Sequence, residues 1–419
     1  MKTIVLSKSD RALKGSLVLP ASKSISNRLL IIRALSGSGF PIDNLSDSED
    51  TSLLKEILAM ICPAGSPVKV TEIDTRNAGT VMRFLTGYLA FRPGKWVLTG
   101  SERMKQRPIG NLVDALKNLG ADIEYLSRIG YPPILIKGRT PITNETTIEC
   151  GISSQFCSSL LLIAPYFPEG LTLHMKGQPV SSPYIDMTLA LMEYFGIRIR
   201  KTGHKIKINP GLYEGRRFSV ESDWSAAAFW YEAAALADVV DLELLGLRRE
   251  STQGDAILAR IYQSFGVNTE YRKEGVRLTK DGKTTDGYFF DFTDYPDIAP
   301  AVIITCAALG MNGRFEGLKS LRVKETDRVR ALQNEIEKIG IGVTTETMEN
   351  QMPIIEFGAS SLRLRPETSI ETYGDHRMAM AFAPLALKTG VIRITNPDVV
   401  MKSYPGFWEH MQHLGFEIR

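Results

Sequence analysis

The stretch DALKNLGADIEY, Asp114 to Tyr125, holds the architecture of the chain in miniature. It reads as an amphipathic helix, closed by a glycine at the C-terminal cap position and followed by an alternating strand. The same design returns in LALMEYFGIRIR (Leu189 to Arg200), ARIYQSFGVNTEY (Ala259 to Tyr271), NEIEKIGIGVTTE (Asn334 to Glu346) and FWEHMQHLGFEIR (Phe407 to Arg419). The closing glycines, Gly120, Gly196, Gly266, Gly340 and Gly415, recur at intervals of 70 to 76 residues. A weaker sixth copy, TSLLKEILAMICPAG, ends at Gly65. Self-similarity at a fixed period marks a repeat architecture.

Between these copies lie helices of a second kind: SISNRLLIIRALS, AGTVMRFLTGYLA, SSQFCSSLLLIAPYF, DWSAAAFWYEAAALA, PDIAPAVIITCAALG and DHRMAMAFAPLAL. They are apolar almost all round, so they are expected to be buried, with the amphipathic set outside. Strands follow them in KWVLTG, LTLHMKG, VDLELLG, GRFEGL and VIRITN. The unit is two helices and three or four strands, which makes an α/β fold with sheets outside helical cores. Six units divide as three plus three, giving two similar domains with crossovers near Pro20 and Glu221, and a cleft between domains is the expected place for a site.

At 419 residues the chain exceeds one ordinary core, and 43% apolar with 23% charged residues is the composition of a globular protein. A net charge of +3 is too mild to imply nucleic acid, so an anion site must come from placement of charges. The N-terminus has too short an apolar stretch for a signal peptide, and no run reaches the roughly 20 apolar residues of a membrane span. A cytoplasmic protein is expected. Cys62, Cys150, Cys157 and Cys306 show no metal-ligand spacing and read as reduced, buried thiols.

The helix starts carry the chemistry. RVKETDRV, Arg322 to Val329, packs five charged residues into eight positions. On a helix Lys324 and Arg328 would share a face, a repulsive arrangement unless something anionic lies between them. Lys23, Arg28, Arg83, Arg107, Arg377 and Lys402 also stand in or near first turns, where the helix dipole disfavours cations and favours phosphate or carboxylate. Eight such cases point to a shared polyanionic ligand. Arg28, Arg83 and Arg377 precede helices expected to be buried, where an unpaired guanidinium is costly. Ser181 and Asp223 read equally well as N-caps. Asp297 and Glu325 lie among the cations as charge partners or acid/base groups. Of the five histidines, His376 alone has such neighbours; His174, His204, His410 and His413 read as surface or strand residues with structural roles.

These motifs, LPASKSISNR, NAGTVMR, QRPIGNLVDAL, SSQF, SPYIDMTL, PDIAPA, LRVKETDR, GDHRMAMA and KSYPGFW, run the length of the chain, which resembles the 5-enolpyruvylshikimate-3-phosphate synthases of the enolpyruvyl transferase family. The resemblance implies two inverted α/β barrel domains, each of three βαβαββ repeats: residues 21–221, and residues 1–20 with 222–419. It implies an active site in the interdomain cleft. It further implies transfer of the enolpyruvyl group of phosphoenolpyruvate to the 5-hydroxyl of shikimate 3-phosphate, with release of phosphate and no metal or organic cofactor. By motif, Lys23, Ser24, Arg28, Ser153, Ser154, Gln155, Ser181, Asp297 and Lys324 would hold the acceptor. Lys23, Asn77, Gly79, Arg107, Gln155, Arg328, Arg377 and Lys402 would hold the donor. Asp297 resembles the family's base; Glu325, Lys23 and Lys402 are candidate proton donors, and His376 joins the catalytic set. The partners implied are these anions alone, with no nucleic acid and no membrane; a monomer is expected because no segment stands out as an extra interface.

Three features depart from the family's common pattern: Ser320 and Leu321 before RVKE, Arg76 before Asn77, and Phe84 after Arg83. The nearest rival is a UDP-N-acetylglucosamine enolpyruvyl transferase, which commonly carries a cysteine in a Gly- and Arg-rich loop; Cys62, Cys150 and Cys157 lie in no such setting. A non-catalytic anion-binding scaffold is the other alternative, and it has no use for Asp297, Glu325 and His376.

Overall fold

A computed structural model describes residues 2–61, 70–347, 353–360, 362–363 and 368–419. The chain forms two compact units, Met1–Ser22 with Glu221–Arg419, and Lys23–Val220. Gly65 and Cys62 lie outside the described residues.

One strand order recurs. In the sheet of Thr71–Asp74, Lys95–Thr99, Asp122–Tyr125 and Ile134–Lys137 the first two strands are parallel, the fourth pairs antiparallel with the second, and the third lies outermost. Parallel neighbours need a crossover, and the apolar helix Gly79–Ala90 supplies it. The same order holds for Glu145–Glu149, Leu171–Lys176, Ile199–Thr202 and Lys205–Ile208, and for Gly287–Asp291, Asn312–Glu316, Thr344–Thr347 and Pro353–Phe357. The N-terminal residues complete two further sheets of their unit. Ala12–Val18 runs parallel to Val239–Leu245, and Thr3–Ser7 antiparallel to Val391–Thr395. In the unit Lys23–Val220, Phe218–Ser219 pairs parallel with Ile42–Asp43. This is the expected βαβαββ repeat, and its interior is helical.

Trp224–Leu236, Ala299–Ala308 and His376–Phe382 pack together as the core of one unit, and every residue of the last two is buried. Lys23–Ser36, Gly79–Ala90 and Ser154–Ile163 do the same in the other. The amphipathic helices close as their sequences predict. Gly120, Gly196, Gly266, Gly340 and Gly415 all have φ between 77° and 103°, a region open to glycine at little cost. At four of them the next residue's N–H reaches back to close the last turn: Ala121 to Leu116 O, Ile197 to Met192 O, Ile341 to Ile336 O and Phe416 to Met411 O. That residue is buried each time, as a Schellman motif requires.

ARIYQSFGV departs from the pattern. It is a short helix, Leu258–Ile261, between 3-10 turns at Gly254–Ile257 and Tyr262–Phe265. Tyr262 and Phe265 are both fully buried with ring centroids 5.3 Å apart. The 3-10 turn eclipses residues three apart, so it aims both rings inward where a wider helix would not.

One acid is buried in the helical core. Glu232 sits in the core helix Trp224–Leu236 with no exposure, and neither carboxylate oxygen has a hydrogen-bond partner among the described residues. Burial pushes its carboxyl well above the ordinary value of 4.5. The neutral acid is therefore the folded form, and its ionisation opposes folding. Stability is complete below pH 4.5 and falls by about 1.4 kcal/mol per pH unit until the folded value is passed. Glu232→Gln is expected to raise the urea midpoint at pH 8 and to leave it unchanged at pH 4; equal shifts at both values would refute this.

Candidate active site

In the unit Lys23–Val220 the cations near helix starts are held by hydroxyls and backbone carbonyls, with Asp50 as a carboxylate partner of Lys23. Arg28 is 2% exposed. It donates from Nε to Thr188 Oγ1 at 2.7 Å, from Nη1 to Ser24 O at 2.8 Å, and from Nη2 to Ser158 Oγ at 3.2 Å and Tyr184 O at 3.0 Å. Its guanidinium also lies 5.4 Å from the Phe84 ring centroid. Every one of these partners is neutral, and burial lowers the guanidinium to about 10. A buried cation held by neutral dipoles keeps its charge available to an anion. Lys23, the first residue of its helix, pairs with Asp50 at 3.3 Å.

The NAGTVMR turn positions two more arginines. Arg83 Nη1 donates to Gly79 O at 3.2 Å and Nη2 to Pro108 O at 3.1 Å, so this residue braces the turn. Arg107 Nη1 donates to Asn77 O at 3.2 Å. Gly79 is glycine for space: a Cβ there would meet Arg107 Nη2 at 2.5 Å. Ser153 caps Ser154–Ile163, accepting from Gln155 N at 3.3 Å, while Gln155 Nε2 donates to Thr80 Oγ1 at 3.0 Å. Ser181 occupies a cap position at φ 57° but its hydroxyl makes no cap bond. A left-handed serine costs about 1–2 kcal/mol, and such strain gathers at ligand sites. Asp223, by contrast, is an N-cap, accepting from Ser225 N at 2.7 Å and Ala226 N at 3.3 Å.

The second group, in the other unit, carries its own acids. Asp297 is the hub: Arg377 Nη2 stands 3.1 Å from its carboxylate, Lys324 Nζ 3.3 Å and Arg328 Nη1 3.6 Å. Arg377 Nη1 also donates to the Asp297 carbonyl. Burial alone would raise the Asp297 carboxyl, but Arg377, Lys324 and Arg328 together hold it far below the usual carboxylate range. Burial pulls the Lys324 ammonium down, with Asp297 opposing. Arg328, with its side chain 1% exposed, reaches Asp375 from Nε at 2.7 Å and Glu325 from Nη2 at 2.8 Å. Glu325 lies 3.9 Å from Lys402 Nζ. Asp375 caps His376–Phe382 by accepting from Arg377 N at 2.9 Å, and its neighbour His376 is 2% exposed, with Nδ1 3.7 Å from the same carboxylate.

The structure corrects three expectations. Lys324 and Arg328 do not share a helical face. The helix begins at Arg328, behind the cap Asp327, and Lys324 precedes it in extended backbone. They converge on Asp297, so the anion between them is internal. Arg107 and Lys402 close 3-10 turns at Met104–Gln106 and Pro397–Lys402 and do not stand in first turns. His410 is half-buried on a helix, paired with Tyr404 Oη at 2.6 Å. Cys150, Cys157 and Cys306 are buried free thiols.

Sequence reasoning passed over Asp375, Asp50, Thr188 and Ser158. Asp375 had a local signal, since Asp before a buried helix is a cap. Thr188 and Ser158 had none, being single polar residues inside apolar helices that meet Arg28 only through packing.

Known proteins agree on one family. The sequence profile of EPSP synthase (3-phosphoshikimate 1-carboxyvinyltransferase) matches residues 8–411. A 3-phosphoshikimate 1-carboxyvinyltransferase of Bacteroides fragilis is 45% identical over 408 residues, 97% of either chain. One from Colwellia psychrerythraea is 34% identical over 95% of this chain and 96% of its own. In fold, an EPSP synthase structure from Acinetobacter baumannii superposes with a TM-score of 0.78 over the whole of both chains, at 24% identity.

Proposed function

This chain belongs to the EPSP synthase family, and from that membership we infer that its reaction is carboxyvinyl transfer from phosphoenolpyruvate to the 5-hydroxyl of shikimate 3-phosphate. The observation that carries the chemistry is Asp297, an ionised carboxylate among Arg377, Lys324 and Arg328. Alone, these cations make it a weak base. Anionic substrates cancel part of their field, so its basicity rises as the site fills. Asp297 then takes the 5-hydroxyl proton while the oxygen attacks C2 of phosphoenolpyruvate and an acid protonates C3. Glu325, Lys23 and Lys402 are the candidate donors, and His376 belongs to the same catalytic set. Loss of a proton from C3 and departure of phosphate complete the transfer. The cations stabilise charge on the tetrahedral intermediate electrostatically.

The reading draws on residues of both units. Lys23, Ser24, Arg28, Ser153, Ser154, Gln155, Ser181 and Lys324 hold the acceptor with Asp297. Lys23, Asn77, Gly79, Arg107, Gln155, Arg328, Arg377 and Lys402 hold the donor. Lys324→Ala is expected to weaken shikimate 3-phosphate and Arg107→Ala phosphoenolpyruvate; titration calorimetry showing equal losses for both ligands would refute the division. Gly79→Ala should raise KM for phosphoenolpyruvate roughly 10- to 150-fold, the worth of one charge-assisted hydrogen bond of about 1.5–3 kcal/mol. The clash falls on the end of a flexible side chain, so the thermal midpoint should hold.

No helix among the described residues is long and apolar enough to cross a membrane. A monomer in the cytoplasm goes with this reading, and sedimentation of the purified protein checks the first part. The direct test is phosphate release from phosphoenolpyruvate, with shikimate 3-phosphate and UDP-N-acetylglucosamine as alternative acceptors. Release with the first alone is expected; release with the second would overturn the acceptor, and release with neither would return the scaffold reading.

A further inference from the structure

Cys150 and Cys157 bracket the turn that carries Ser153, Ser154 and Gln155. Both thiols are buried, at 1% and 0% exposure, and their Sγ atoms stand 3.0 Å apart. Cys150 directly follows the strand Glu145–Glu149 and Cys157 lies in the first turn of Ser154–Ile163, so the sulfurs meet because strand and helix fold back on each other across the turn. Cys150 O also accepts from Val180 N at 3.2 Å, which ties the same residue to the strained Ser181. A disulfide needs about 2.05 Å between sulfurs, so a displacement of about 1 Å would join them. Nothing in the carboxyvinyl transfer uses either thiol.

We propose that Cys150 and Cys157 form a dithiol modification site that a small hydroperoxide converts to a disulfide, moving the Ser153–Gln155 turn and weakening the acceptor. One thiolate attacks the peroxide O–O bond, becoming a sulfenic acid as the alcohol leaves. The second thiol attacks the sulfenic sulfur and expels water. Two thiols and one hydroperoxide give one disulfide, one alcohol and one water. The hydrogen bond with Cys150, and then burial, push the Cys157 thiol up, so the attacking thiolate is a minority form and the reaction is slow without an excess of hydroperoxide. The disulfide closes a ring from residue 150 to residue 157, and a shift of about 1 Å in positioned groups costs up to roughly 100-fold in rate.

The formation of the bond is independent of the proposed function, while its effect on activity rests on it. The full chain is treated with hydrogen peroxide, then mapped by non-reducing peptide mass spectrometry, with binding of shikimate 3-phosphate followed by calorimetry before and after. A Cys150–Cys157 cross-link, at least about tenfold weaker binding (~1.4 kcal/mol) and recovery with a dithiol reductant are expected. Cys157→Ser and Cys157→Ala should bind normally and resist the treatment. No cross-link, or a cross-link with unchanged binding, would overturn the proposal. Failure of the reduced enzyme to bind shikimate 3-phosphate would instead overturn the acceptor assignment.

Discussion

Asp297→Asn is expected to lower kcat by about 10²–10⁴, the usual worth of a positioned general base, without raising KM for either anion. Asparagine keeps the shape and loses the proton acceptor. It also removes the negative charge from among Arg377, Lys324 and Arg328, which strengthens the attraction of this group for anions. A merely structural role would instead raise both KM values. The variant should also be less stable at pH 7, by up to the roughly 3–5 kcal/mol seen when a buried ion pair loses one partner. The Asp297 carboxyl titrates below its unfolded value of 3.8. Its contribution is thus complete above pH 3.8 and is lost as pH falls towards the folded value. Urea midpoints of the two proteins should converge as the pH is taken below 3.8; a constant gap would mean that the asparagine destabilises the fold for a reason other than the lost charge.

The second large effect is on stability. Arg328→Ala should cost roughly 3–5 kcal/mol, because Asp375, with no exposure, would lose the guanidinium that holds it at 2.7 and 3.2 Å. Glu325, with its side chain 9% exposed, loses its contact at 2.8 Å in the same change. Part of the loss should return in the double variant Arg328→Ala, Asp375→Asn, since the asparagine still caps the helix but leaves no carboxylate without its guanidinium. Chemical denaturation of the two single variants and the double closes the cycle. Strict additivity, or a loss under about 1 kcal/mol for Arg328→Ala, would show that the pair is not worth what buried pairs usually are.

Much of the fold was legible because its signals are local. A glycine at the end of an amphipathic helix meets its own turn, whatever the rest of the chain does, and all five closing glycines are left-handed. The apolar helices declared their burial by having no polar face. The 3-10 turn at Tyr262–Phe265 escaped notice because burial of two rings three residues apart, and not helix propensity, sets its pitch. Lys324 and Arg328 were recognised as a site for a reason that does not hold, a shared helical face; both nonetheless reach the Asp297 carboxylate.

From residues alone came the repeat, which helices are inner and which outer, and which cations belong to the candidate site. Folding settled the pairing: that Arg28 meets Thr188, 160 residues away, with the Ser158 hydroxyl and the Ser24 and Tyr184 carbonyls, whereas Arg328 meets Asp375, 47 residues away, and with it two more acids. Period and capping depend on neighbours a few residues apart. The energy of a charge depends on the distance to its partner and on the water removed from both, and these exist only once distant segments have packed.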